Sequence, residues 1–171
     1  MTLAPILEAP FIIQLHILAA LPALIVGPFS IWGRTSRKLH KRLGYTWVTA
    51  LAVLAISGLF IPSNGLAVIG HFGPIHLFSV FALWGITRGV WLARAGQIKQ
   101  HQASMRSTWF GSMGIAGLLN FIPGRRMNEV VFGGPSDLGW VVIGVGFVGL
   151  YFACRSRARP FARRVSSPQV N

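Results

Sequence analysis

Histidine is the residue type in this chain best suited to chemistry. Five histidines, His16, His40, His71, His76 and His101, occur in 171 residues that contain only three Asp+Glu and one cysteine. Six-coordinate haem b needs two imidazoles, one on each side of the iron, and facing helices of a bundle supply ligands in this way. We therefore interpret His16 with His76 as the ligands of one haem, and His40 with His101 as the ligands of a second.

Histidines near a membrane surface also have structural uses, because imidazoles hydrogen-bond headgroups, carbonyls and neighbouring helices. A polar group inside an apolar segment is costly, so function and structure are equally open for His16 and His76. For His40 and His101, which lie among basic residues, a structural or headgroup role is favoured and haem ligation is the alternative. His71 lies beside a Gly/Pro turn and is expected at the surface, five positions from His76 and off its helical face.

The scarcity of acids removes several classes of enzyme. Glu8, Glu129 and Asp137 are the only carboxylates, which argues against paired-carboxylate hydrolysis and carboxylate-rich calcium or magnesium sites. The single Cys154 excludes an internal disulfide and a Cys-rich zinc or iron-sulfur site. No hydroxyl has a recognisable base and orienting acid, so enzymatic activity stays an open question.

The composition indicates a membrane protein. Hydrophobic residues make up 53% of the chain and charged residues only 11%, whereas soluble domains carry roughly 25% charged residues. The net charge of +13 does not indicate a nucleic-acid partner, because the basic residues interrupt long apolar runs instead of forming one solvated face.

Five apolar runs predict an all-α, polytopic bundle of transmembrane helices. They cover residues 11–32, 45–61, 72–93, 107–122 and 138–153, and a spanning helix needs ~20 residues. The fourth and fifth are marginal in length, so four spans, with one of these runs re-entrant, is the alternative. The bundle is expected over residues 1–154, followed by a basic, disordered cytoplasmic tail over residues 155–171.

The distribution of cations predicts an orientation. With five spans and the N-terminus outside, fourteen of the sixteen Lys and Arg fall on the inner side. Only Arg125 and Arg126 fall outside, so the positive-inside rule favours an outer N-terminus and an inner C-terminus. The basic loops would also attract anionic headgroups on the cytoplasmic side.

Glycines within the spans are expected to pack helices together. Gly111, Gly114 and Gly117 recur every three residues in the fourth run, a spacing that lets helix backbones approach closely. Residues 144–149 match the pattern G-x-G-x-x-G but lie inside an apolar span without a preceding strand, so we interpret them as packing residues and not as a dinucleotide site.

Several motifs around the spans resemble one family. They are Gly27-Pro28, residues 37–45 (RKLHKRLGY), Ser57-Gly58-Leu59, residues 96–107 (GQIKQHQASMRS) and residues 123–128 (PGRRMN). Together they resemble bacterial multi-pass membrane proteins grouped as domain of unknown function 2306. The chain departs from that pattern at Lys41, which separates His40 from Arg42, and at Gln102-Ala103-Ser104. The resemblance implies an integral membrane protein without a settled activity.

Two functions follow as the main hypotheses. The first is a membrane electron carrier with haem b in bis-histidine ligation, located in the bacterial inner membrane. The second is a non-enzymatic scaffold or accessory subunit whose histidines are structural and which binds a membrane-protein partner or a second copy of itself. A small-solute transporter is least favoured, since no internal repeat is evident.

Overall fold

The protein is all-helical in the part of the chain that the structure, a computed structural model, describes: residues 3–63 and 67–165, with side chains up to residue 153. The helices are α1 (Ala4–Leu7), α2 (Phe11–Trp32), α3 (Arg37–Leu59), α4 (His76–Arg94), α5 (Ile98–Trp109), a π-helix (Phe110–Ile115), α6 (Ala116–Leu119), α7 (Arg126–Phe132) and α8 (Leu138–Val165). Apart from an isolated bridge between Ile69 and Phe72, no β-structure occurs in these residues.

Two helices begin earlier than their apolar runs. α3 begins at Arg37 because the Ser36 side chain caps it, accepting a hydrogen bond from the Leu39 amide at 3.3 Å. α5 begins at Ile98, so the polar segment before the fourth run is helical and continues through the π-helix into α6. Both extensions place a predicted site histidine, His40 or His101, in the first turns of a helix.

Three helices, α2, α3 and α4, are long and apolar enough to cross a membrane by length and composition, among the described residues. The apolar part of α8, Leu138–Ala153, is shorter, and the fourth run is divided among α5, the π-helix and α6. Three of the five predicted spans therefore meet the criteria for a membrane helix.

The core lies among α2, α3, α4 and α5. It contains Trp47, Leu51 and Leu54 from α3 together with small residues of the neighbouring helices, Ala19, Ala23 and Ala82. Small side chains let helices approach closely where lipid gives no hydrophobic drive for their association. Gly96, with φ of 71°, lets the chain turn between α4 and α5 so that the two helices pack side by side.

The glycines of the fourth run differ in their surroundings. A side-chain carbon at Gly111 would collide with Phe81, and one at Gly114 would lie 3.1 Å from Leu150. Nothing lies within 4 Å of that position at Gly117. Gly146, inside the G-x-G-x-x-G segment of α8, packs closely on Leu118 of α6. Close packing thus occurs at two of the three glycines in the fourth run.

α8 extends past the expected end of the bundle. Its backbone is helical to Val165, so residues 155–165 continue the helix, whereas the sequence predicts a disordered tail from residue 155. Arginine favours helices, and five arginines follow Cys154, which is consistent with this extension. The remainder of the predicted tail, residues 166–171, lies outside the described residues.

Candidate functional site

His76 is held by the backbone through both of its nitrogens. Nε2 donates to the Ile61 carbonyl at 3.0 Å, and Nδ1 accepts from the Gly73 amide at 3.0 Å. The side chain is only 5% exposed. Because an iron ligand needs a free nitrogen lone pair, His76 does not fit the predicted haem with His16. Its position instead ties the end of α3 to the start of α4.

His71 lies at the surface beside His76, with Phe72 between them. The Phe72 ring centre lies 4.0 Å from that of His71 and 5.0 Å from that of His76. The two imidazole centres are 6.0 Å apart, but His76 has no nitrogen left for a shared metal. The His76 side chain therefore stabilises the loop between α3 and α4 through its hydrogen bonds, and His71 packs on Phe72 at the surface.

His16, on α2, is oriented by a hydroxyl of α3. Its Nδ1 lies 3.0 Å from the Ser57 Oγ, and that hydroxyl donates its proton to the Leu54 carbonyl at 3.0 Å. Since the single Ser57 proton is used in this way, Nδ1–H of His16 donates to Ser57. The Nε2 of neutral His16 consequently carries a lone pair and accepts hydrogen bonds.

A pocket of about 850 Å³ adjoins His16. It lies between the helices of the core and the loosely packed α8, and most of its wall is apolar. The wall has few side chains with polar atoms: His16, Ser63, Ser79, Trp109, Ser112, Asn120, Arg125 and Arg126. This combination of an apolar wall with sparse polar groups is typical of a small-molecule site.

His40 and His101 lie together at the other end of the bundle from His76. Their ring centres are 6.4 Å apart and the ring planes are nearly perpendicular, at 85°. The Nδ1 of His101 donates to the Gly89 carbonyl at 2.8 Å. His40 is exposed and His101 is partly buried. The structure therefore brings together His40 and His101, called here the inner pair. It does not bring together His16 and His76, the outer pair.

The inner pair has too few ligands for a zinc site. No group of three or more His, Cys, Asp or Glu lies close enough to hold a metal ion in the described part of the chain. A structural zinc ion needs four ligands, and a catalytic one needs three from the protein. Two histidines would be enough to hold a haem, because a haem brings most of the iron's ligands itself.

The two helices that carry the inner pair are rich in basic residues. The first turns of α3 carry Arg37, Lys38, Lys41 and Arg42, and α5 carries Lys99 and Arg106. All three acids of the sequence, at positions 8, 129 and 137, lie far along the chain from these helices. These cations have no carboxylates near them in the sequence, so they would attract an anionic group that binds here.

Sequence reasoning missed the residues that complete the His16 site. Ser57 and Gly58 belong to a family motif, and Ser79 belongs to no motif in the sequence. A side-chain carbon at Gly58 would lie 2.9 Å from the Ser79 Oγ and 3.1 Å from the His16 Cε1. The one available signal was a hydroxyl residue inside an apolar run, which is costly without a partner.

These helices, with exposed apolar surfaces and few charges, define an integral membrane protein. Residues 13–153 match the family described as "Predicted membrane protein (DUF2306)", and the chain belongs to this family. No curated protein and no solved structure matches the chain.

Proposed function

We propose that this protein is a membrane electron carrier that binds one haem b between His40 and His101. The observation that carries the proposal is the position of these two imidazoles on neighbouring helices, 6.4 Å apart between ring centres. Imidazole nitrogens bind metals at roughly 2.0–2.1 Å, so these two rings would be close enough to hold one iron between them once their nitrogens face each other.

The hydrogen bond of His101 supports a ligand role. Histidines that bind metals commonly donate their second ring N–H to a backbone carbonyl, which fixes the tautomer and the ring orientation. His101 makes such a bond to Gly89 through Nδ1, which leaves its Nε2 with a lone pair. His40 would supply the second ligand from the first turns of α3, where its ring is exposed.

The surrounding cations support binding of the two haem propionates. Arg37, Lys41 and Arg106 belong to the same first turns of α3 and the same α5 that carry the two histidines. Bound haem would supply a one-electron couple, and the protein would set its potential through the axial histidines and the local charge. The same cations would bind anionic lipid headgroups if no haem were present.

The proposal includes a location and a topology. Fourteen of the sixteen cations lie on one side when the five apolar runs cross the membrane, which supports an outer N-terminus, an inner C-terminus and the bacterial inner membrane. The haem would then lie at the cytoplasmic side, where a soluble or membrane-bound partner exchanges electrons with it.

A second candidate function is a cofactor-free accessory subunit. The structural use of His76 supports it, because both nitrogens of that residue are consumed by the backbone. The loose packing of α8 on α6 and the π-helix also supports it, since a partner helix or a second copy could complete that side of the bundle.

Purification from a haem-replete host separates the two candidates. An electron carrier is expected to copurify with about one haem per chain, measured after extraction as the pyridine complex. An accessory subunit is expected to be colourless and to copurify with another membrane protein.

A further inference from the structure

The pocket beside His16 contains a small polar site, the cradle, which is formed by His16, Gly58 and Ser79 and which neither proposed function uses. His16 is the sixth residue of α2, roughly 7.5 Å along the helix from its first residue at 1.5 Å per residue. Ser79 of α4 and the glycine at position 58 of α3 lie against it. Three neighbouring helices therefore contribute to one point on the pocket wall.

The hydrogen-bonding capacity of this cradle is specific. Ser57 fixes His16 as the Nδ1–H tautomer, so its Nε2 accepts and does not donate. The Ser79 hydroxyl donates and accepts, and it has no hydrogen-bond partner among the described residues. A ligand hydroxyl satisfies both groups at once, since it donates to Nε2 of His16 and accepts from Ser79.

The absence of a side chain at Gly58 creates the space for such a group. A methyl carbon there would lie 2.9 Å from the Ser79 Oγ and 3.1 Å from the His16 Cε1. It would thus lie between the Ser79 hydroxyl and the Cε1 edge of the His16 ring. Beyond the cradle, Phe78 and Trp109 add aromatic surface to the aliphatic wall.

We propose that this pocket binds a membrane-soluble hydroquinone, with one ring hydroxyl between His16 and Ser79 and the apolar chain along the rest of the pocket. The inference is independent of the haem site, because it uses no residue of the inner pair. It predicts a preference for the reduced form, since a quinone has only acceptor oxygens and gives His16 Nε2 no proton.

An anionic lipid fits these groups less well. Phosphate diesters and fatty carboxylates present acceptors only, so they leave the His16 lone pair without a donor. Arg125 and Arg126 also line the pocket, but Nη1 of Arg126 already donates to the Pro5 carbonyl at 2.7 Å. A volume of about 850 Å³ also exceeds what a ring alone would fill, which suits a ligand with a chain.

Equilibrium binding to the full chain tests the proposal directly. The protein is placed in nanodiscs of synthetic lipid under anaerobic conditions, with empty nanodiscs as the background. The probes are radiolabelled decylhydroquinone, the matching quinone and the dimethyl ether of the hydroquinone. We expect saturable binding of the hydroquinone. The quinone and the ether should bind about tenfold more weakly, because each loses one hydrogen bond and leaves His16 Nε2 unpaired.

Two substitutions locate the site. Gly58→Ala and His16→Ala are each expected to weaken hydroquinone binding about tenfold, while Gly144→Ala on α8 leaves it unchanged because nothing lies within 4 Å of that position. The melting temperature of each variant shows whether it is folded. Equal affinity for all three probes, no saturable binding to the wild type, or unchanged binding in folded Gly58→Ala would overturn the proposal.

Discussion

The imidazole rings of His40 and His101 lie 6.4 Å apart, with their planes at 85°, on two helices whose first turns meet at the basic end of the bundle. His40 is the fourth residue of α3 and His101 is the fourth residue of α5. These equivalent helical positions bring the motifs at residues 37–45 and 96–107 close together. A hydrogen bond to the Gly89 carbonyl orients the His101 ring.

His76→Ala is expected to destabilise the fold without affecting haem binding. The substitution removes hydrogen bonds to Ile61 and Gly73 and leaves two backbone groups without their partner, at a cost of about 2–4 kcal/mol. Differential scanning fluorimetry in detergent measures the change. His71→Ala, at an exposed neighbour, serves as the control and should melt near the wild type. A loss of haem from a fully stable His76→Ala protein would contradict this structural assignment.

Gly27→Ala is expected to disturb the core. A methyl group on α2 at this position would lie 2.7 Å from the indole nitrogens of both Trp47 and Trp109, and overpacking of this kind costs roughly 1–3 kcal/mol. The melting temperature should therefore fall. Gly117→Ala is the matched control, because a methyl group there meets nothing within 4 Å. Equal melting temperatures for the two variants would show that the indoles move aside freely.

Asn128 is expected to be essential for the position of α8. Its side chain is fully buried and makes three hydrogen bonds of 2.8–2.9 Å, to the Phe121 carbonyl and to the amide and carbonyl of Ser136. Asn128→Asp keeps the shape but loses both donors, and we expect a loss of about 2–4 kcal/mol. Asn120→Asp, which loses one bond of 3.2 Å, should cost less in the same melting assay. The reverse order would refute the role given to Asn128.

Helix boundaries and the inner histidine pair were predictable to different extents. The bounds of α2 agree with its apolar run, because apolar composition and length together determine that helix. The start of α3 depends on the Ser36 cap, which hydropathy does not register. His40 and His101 were paired from their positions at the inner ends of their runs, and the structure places them side by side.

The outer site could not be predicted from the sequence for a physical reason. His76 is satisfied by backbone groups of the loop between α3 and α4, and backbone acceptors have no sequence signature. The tautomer of His16 likewise depends on Ser57, which is 41 residues away, and on the Leu54 carbonyl. The spacing of histidines along the chain therefore predicts neither the hydrogen bonds of His76 nor that of His16.

The proposed topology predicts which surface positions a membrane-impermeant maleimide reaches. In a Cys154→Ala background, Asp137→Cys should be labelled in intact spheroplasts, because the proposed topology assigns it to the outer side with the other acids. Lys38→Cys, also at an exposed position, should be labelled only after permeabilisation. Labelling of both positions in intact spheroplasts, or of Lys38→Cys alone, would contradict an outer N-terminus.

The reduced-minus-oxidised absorption spectrum of the purified protein tests the central claim most directly. We predict the Soret and α bands of a bis-histidine haem b, with both bands lost in His40→Ala and in His101→Ala and retained in His71→Ala. A colourless wild type, or a spectrum that is unchanged in folded His40→Ala and His101→Ala proteins, would contradict haem binding at this pair.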